Sequence, residues 1–295
     1  MRHTAENRPI PAIDPPRDSP AHLLATLTLG FSRHGDATRL TQREHFGPLR
    51  VQKALYPEGQ HTCHAIVVHP PGGVVGGDEL RITVRAGTGA HALISTPGAA
   101  KWYRSNGFRS VQQVELHVDA GAAIEWLPQE AIFFNDADVR LDTTVHLNGN
   151  ARYLGCDILC FGRTASGERF THGRIGQRLR ILRDGRPLWL EQGTLHGGSR
   201  QMASPLSLSG HSVCANLVAA GLSQAPSLMN ALREACAQAA GGRGQFGATQ
   251  MKTATIVRWL GDSSEVARAV MLAAWATLRP ELLACEAPPL RIWNT

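Results

Sequence analysis

Lysine is nearly absent from this chain. Only Lys53, Lys101 and Lys252 occur in 295 residues, so the net charge of +6 rests almost wholly on arginine. No block of consecutive basic residues appears, and no zinc-finger or RNA-binding signature, which excludes a dedicated nucleic-acid binder. Charge of either sign is also scarce, at 18% of residues against a globular average of about 25%. A surface this poor in charge suits contact with partner proteins, and arginine suits such interfaces. Long apolar runs are missing as well. The uncharged stretch 201–232 is broken by proline, glycine, serine and asparagine, so no membrane span is expected. The first twenty residues hold five prolines and no apolar core of a secretory signal. The six cysteines lack the spacing of a disulfide scaffold, which points to the reducing cytosol. No Gly-x-Ser-x-Gly elbow and no His-Glu-x-x-His helix is present.

What is present is mostly strand. Residues 1–20 read as a disordered tail, and 21–295 as a single mainly-β domain. Leu23–Leu29, Val111–Val118 and Val139–Leu147 alternate at period two. Turns rich in Asp, Asn and Gly separate such runs at 119–121, 148–150 and 184–187. An internal echo recurs about every thirty residues: Gly89–Ile94, then Gly121–Leu127, then the looser Gly149–Leu154. It fits stacked β-layers, either solenoid or sandwich. Helices are expected only in the C-terminal third. One spans Ser227–Ala240 and stops at two glycines. The other follows Asp262, with Asp262 and Glu265 as a capping box, and ends at Arg279 before Pro280. Thr249–Leu260 between them reads as one strand.

The segment His69–Asp78, HPPGGVVGGD, follows the apolar run Ala65–Val68. Its prolines and glycines describe a tight irregular loop that holds Asp78 at its far side. A phosphate loop is excluded, because Asp78 and Glu79 follow the glycines where Lys and Ser or Thr are needed. A dinucleotide fingerprint is excluded too, since Asp78–Val84 alternates like a strand. Taken alone, the loop reads better as a structural turn between two strands. His61, Cys63, His64 and His69 form the densest set of ligand-type side chains. On a strand His61, Cys63 and His69 would share one face. No second cluster with zinc spacing accompanies them, so a permanent structural metal is not expected, whereas imidazole would suit a transient nickel or zinc ion. Trp102, Tyr103, Trp126, Phe133 and Phe134 read as core or interface anchors.

Five segments resemble the urease accessory protein D family. They are His69–Asp78, Thr96–Ser105 (TPGAAKWYRS), Trp126–Glu130 (WLPQE), Phe161–Glu168 (FGRTASGE) and Pro289–Trp293 (PLRIW). They occur in the family's order across Leu23 to Trp293. Cys156 departs from the pattern, which has tryptophan before the acidic residue. The resemblance implies a cytoplasmic, non-enzymatic maturation factor with a mostly β, solenoid-like fold. It implies binding to apo-urease and to accessory proteins F and G, and it allows a homodimer within that complex. It implies no tightly bound cofactor and nickel in transit, passed to urease through an internal channel. Weak oxygen or imidazole ligands suit such a path, and Asp78, Asp157 and Glu191 are the candidates. Ordinary ion-pairing to the many arginines is the competing account of these carboxylates. The alternative from another class is a metal-dependent hydrolase using Asp78 with the His61/His69 face.

Overall fold

The computed structural model describes residues 23–221 and 226–294. The expected N-terminal tail lies outside the described residues. Seventeen strands occur among them: β1 (Leu24–His34), β2 (Ala37–Phe46), β3 (Arg50–Leu55), β4 (Thr62–Val68), β5 (Glu79–Ala86), β6 (His91–Ser95), β7 (Ala100–Trp102), β8 (Ser110–Val118), β9 (Ala123–Leu127), β10 (Ala131–Phe133), β11 (Asp138–Leu147), β12 (Arg152–Phe161), β13 (Arg174–Arg183), β14 (Arg186–His196), β15 (Val213–Ala220), β16 (Gln245–Gln250) and β17 (Ala254–Gly261). Three α-helices accompany them: α1 (Arg200–Ala203), α2 (Pro226–Ala240) and α3 (Ser264–Leu283).

The strands form two sheets. The first has seven strands in the order β14-β13-β11-β8-β5-β1-β2, and the second is a ten-stranded sheet whose main path runs β16-β17-β15-β12-β9-β6-β4-β3. From β4 to β13 the chain swings repeatedly between the sheets, and each return lies parallel to its predecessor. In the first sheet Leu80 pairs Gln112, Leu141 pairs Gln112, and Leu141 pairs Gln177. In the second, His91 pairs Ala123 and Arg152 pairs the same Ala123. The thirty-residue echo is thus one coil of a short solenoid, with β6, β9 and β12 as its three copies.

The corners show why the echo exists. The amides of Asp119, Asn148 and Asp184 donate to the carbonyls of Ala86, Val118 and Leu147, one layer below each. Asn148 Nδ2 donates to Asp119 Oδ1 at 3.2 Å, and Gly149 N donates to Asp184 Oδ1 at 2.8 Å. The turn residues of one layer therefore satisfy the backbone of the next. At another corner Trp102, Phe133 and Phe161 stack in successive layers, with ring centroids 6.4 and 5.8 Å apart.

Two cores result. One lies between the sheets and holds Leu27, Leu29, Phe31, Val84, Leu116, Val145 and Ile181. The other lies between the second sheet and helices α2 and α3, and holds Leu154, Leu217, Leu232, Val270, Trp275 and Leu278. The second sheet is therefore covered on both faces, and β6 and β9 are buried at every position.

The C-terminal elements differ in detail from the sequence expectation. Thr249–Leu260 is not one strand: β16 and β17 form an antiparallel hairpin. Ser263, not Asp262, caps α3, accepting from Val266 N at 3.3 Å. Asp262 instead accepts from Ser212 N at 2.9 Å and contacts His211 Nδ1 at 2.8 Å, tying the helix start to β15. The helix also runs through Pro280 to Leu283 and ends where Ala284 takes a left-handed conformation. Packing of Leu282 and Leu283 against the second core outweighs the one backbone donor that proline removes.

Candidate functional site

Strand alternation decides what faces the space between the sheets. On β12 the odd-numbered Tyr153, Leu159 and Phe161 belong to the inner core, and the even-numbered Leu154, Cys156, Ile158 and Cys160 face the helices. Asp157 therefore points inward. The same rule turns Gln112 inward beside Val114 and Leu116, and Gln177 beside Ile175 and Leu179. Asp157 pairs in register with Asn216 on β15, and Asn216 with Arg258 on β17. Glu191 pairs with the inward-facing Leu179. One polar band thus runs from Asp157, between the sheets, to Glu191 and the exposed Arg258.

Its contacts are sparse. Gln177 Nε2 donates to Asp157 Oδ2 at 3.4 Å. Glu191 Oε1 accepts from Asn216 Nδ2 at 3.3 Å and from Arg258 at 2.9 Å. Asp157 makes no ion pair among the described residues. Burial, and then the charge of Glu191, push its carboxyl up to about 6. Glu191 has found an arginine; Asp157 has not.

A cavity of about 410 Å³ reaches Asp157 from one side. Its walls include His69, Trp102, Gln112, Trp126 and Asp157. A second hollow of about 170 Å³ is lined by Gln177, Glu191, Gln201, Ser207 and Cys214. Leu159 borders both. Asp157 lines the larger cavity, and Gln177, in contact with it, lines the smaller hollow. In the larger cavity His69 Nε2 and Trp102 Nε1 are buried without a hydrogen-bond partner. Burial lowers the His69 pKa, against the raising pull of Asp78. Its imidazole is therefore neutral at pH 7 and free to act as a ligand.

The glycine-rich loop builds one wall of this cavity. Asp78 is 4% exposed, and its Oδ2 accepts from Val75 N at 3.0 Å, so the carboxylate closes its own loop. Gly73 and Gly76 let other chain segments approach. A Cβ on Gly73 would lie 2.2 Å from the Tyr103 ring, and one on Gly76 2.2 Å from Asn106 Oδ1. Asp78 reaches the cavity only through its electrostatic influence on His69. The structure brings Asp157 and Glu191 together and leaves Asp78 apart from them.

The histidine cluster does not converge. Cys63 packs in the core between the sheets. His69 borders the cavity, while His61 sits against a separate hollow with Glu58, Pro280 and Cys285, its ring 6.2 Å from that of His91. His61 precedes the first residue of β4, so the alternation that would place it beside Cys63 has not begun. The hydrolase arrangement of Asp78 with both His61 and His69 is not assembled.

The remaining motifs anchor the fold. In Trp126–Glu130, Glu130 accepts from Arg268 of α3 at 2.7 and 2.8 Å, and Gln129 N donates to Thr96 Oγ1 at 2.9 Å. Trp293 Nε1 donates to Ser95 Oγ at 2.8 Å. Trp102, Trp126 and Phe133 are buried in the core, whereas Tyr103 and Phe134 are partly exposed and pack edge-to-face at 4.9 Å. Sequence reading missed a buried ionic group under α3. Glu125 contacts Arg279 Nε at 3.0 Å, His91 Nε2 at 2.8 Å and Trp275 Nε1 at 2.5 Å. Burial pushes Glu125 up, but the hydrogen bond and charge of His91 and the charge of Arg279 hold it down to about 2. Its lone position inside the apolar stretch Ala122–Leu127 was the available signal.

A family model described as UreD urease accessory protein matches residues 24–294. The chain belongs to the UreD family. Among curated relatives, the urease accessory protein UreD of Janthinobacterium sp. (strain Marseille) is 58% identical over 271 residues, covering 92% of this chain and 91% of that protein. The UreD of Nitrosospira multiformis is 49% identical, covering 94% of this chain and 99% of its own length, and that of Dechloromonas aromatica is 46% identical, covering 96% and 98%. The solenoid, its inner polar band and the covering helices all lie within the UreD match. Cys156 faces the helices, so the departure there touches packing and not the cavity.

Proposed function

We propose that this UreD-family chain is a non-enzymatic urease maturation factor that conducts nickel through the space between its sheets. The observation that carries the reading is Asp157. A carboxylate with no cation partner, lining one hollow of a β-solenoid and touching Gln177 in the wall of another, is costly to the fold and suited to brief contact with a divalent ion. The ion is cargo. It meets neutral His69 and the carboxylate of Asp157, and then Glu191 once Arg258 yields. Oxygen and single imidazole donors bind nickel weakly enough for release. Asp78 acts by shaping the loop and by biasing His69.

We further propose that the chain works in the cytoplasm, bound to apo-urease and to accessory proteins F and G. Most apolar positions of α2 and α3 are spent on the second core, which leaves exposed alanines such as Ala231 and Ala269 on the outer helix surfaces. These are our candidate contacts for F. Ala231→Glu with Ala269→Glu should abolish co-purification with F while leaving apo-urease binding intact. Retained co-purification would move the F contact elsewhere.

The test of the conduit is urease activation with Asp157→Asn. Activation should fall at least tenfold, with the accessory complex still assembling in pull-down. Wild-type activation by Asp157→Asn, and by Glu191→Gln as well, would overturn the carboxylate path.

A further inference from the structure

A second group of ligand-type side chains lies on the opposite side of the first sheet, away from the interior. His117 on β8 and His146 on β11 pair directly in register. Both lie on the outward set of positions, alternating with the buried Leu116, Val118, Val145 and Leu147. Their rings stack at 4.8 Å between centroids with 6° between planes. Glu115, two residues before His117, shares that face. Its Oε1 lies 3.3 Å from His117 Nε2 and 3.4 Å from His146 Nε2. The three donor atoms all lie within 4.8 Å of one another.

We propose that Glu115, His117 and His146 form a three-ligand site for a borderline divalent cation such as zinc, cobalt or nickel, with water completing the coordination shell. Neighbouring ligands around a tetrahedral ion stand about 3.4 Å apart when bonds are about 2.1 Å. The two Glu–His separations match that spacing. His117 Nε2 is buried and makes no hydrogen bond, so its lone pair is not claimed by one. Parallel strands supply the geometry: register puts the imidazoles side by side, and period two brings the carboxylate onto the same face. Two nitrogens and one oxygen suit these ions better than magnesium or calcium. Arg85 opposes a cation; it is exposed on the next strand, and Glu115 offsets its charge.

The other histidine group is less apt. His91 has both ring nitrogens engaged, by Thr62 at 3.1 Å and Glu125 at 2.8 Å, so it cannot join His61 and Cys285 around an ion without breaking the buried network.

The test is titration of the full chain with cobalt, followed by visible absorption and by equilibrium dialysis. Wild type should take up a cobalt ion that zinc displaces. The double variant His117→Ala/His146→Ala should bind at least tenfold more weakly, and Glu115→Gln should weaken binding less. Circular dichroism should show unchanged folding, since all three side chains lie on the outer face. Asp157→Asn should retain the ion, which separates this site from the interior path. Equal uptake by wild type and the double variant, or no uptake by either, would overturn the site.

Discussion

Asp157 is the residue whose environment conflicts most with its charge. Its carboxyl is raised from 3.8 to about 6. A raised acid pKa means the folded state prefers the proton more than the unfolded state does. Relative stability is therefore fullest below pH 4 and is lost as pH rises through 6. At neutral pH the ionised group costs on the order of 2 to 3 kcal/mol. Asp157→Asn should raise Tm at pH 7.5 and lose that advantage near pH 4; a lowered Tm at pH 7.5 would mean that the carboxylate is structural. Glu125 behaves oppositely. Its pKa is depressed from 4.5 to about 2, so its contribution is present above pH 4.5 and lost as pH falls through 2. Glu125→Gln leaves Arg279, fully buried, with weakened compensation, and should cost about 3 to 5 kcal/mol by chemical denaturation. A change below 1 kcal/mol would show the network to be dispensable.

At the scale of elements, strands were legible because they alternate. β8 and β11 begin within one residue of the expected Val111 and Val139. Alternation also held the signal for the inner polar band, since Gln112 and Gln177 interrupt apolar faces at inward positions. What sequence could not supply was the pairing across the interior, which depends on which strands stack. The family resemblance points to the acidic candidates, and the structure separates their settings: Asp157 without an ion pair, Glu191 paired with arginine, Asp78 closing a turn. His61 does not share the Cys63 face because the strand, and with it the alternation, starts only at Thr62. The loop prediction follows from close approach. Gly76→Val places side-chain atoms where Asn106 Oδ1 and Phe108 O already stand, within 2.2 and 2.6 Å of the Cβ. It should destabilise the fold by about 2 kcal/mol or more, read as a shift in denaturation midpoint. An unchanged midpoint would mean that the loop can open away from Tyr103 and Asn106.

As a whole molecule, the chain is a short solenoid with one face of its second sheet roofed by helices. The choice between solenoid and sandwich was open in the sequence, because three imperfect repeats fit both; the parallel register of β6, β9 and β12 decides it. Large apolar side chains exposed among the described residues are few: Phe46, Val75, Leu190, Leu206 and Met251. The low charge content therefore reflects two buried cores as well as any partner surface. The central claim, passage of nickel past Asp157, is tested most directly by following labelled nickel from nickel-loaded accessory protein G into apo-urease through preassembled complexes. Wild-type complex should deliver nickel to urease, and the Asp157→Asn complex should deliver it at least tenfold more slowly at equal occupancy of all partners. Equal delivery rates from the two complexes would contradict the account.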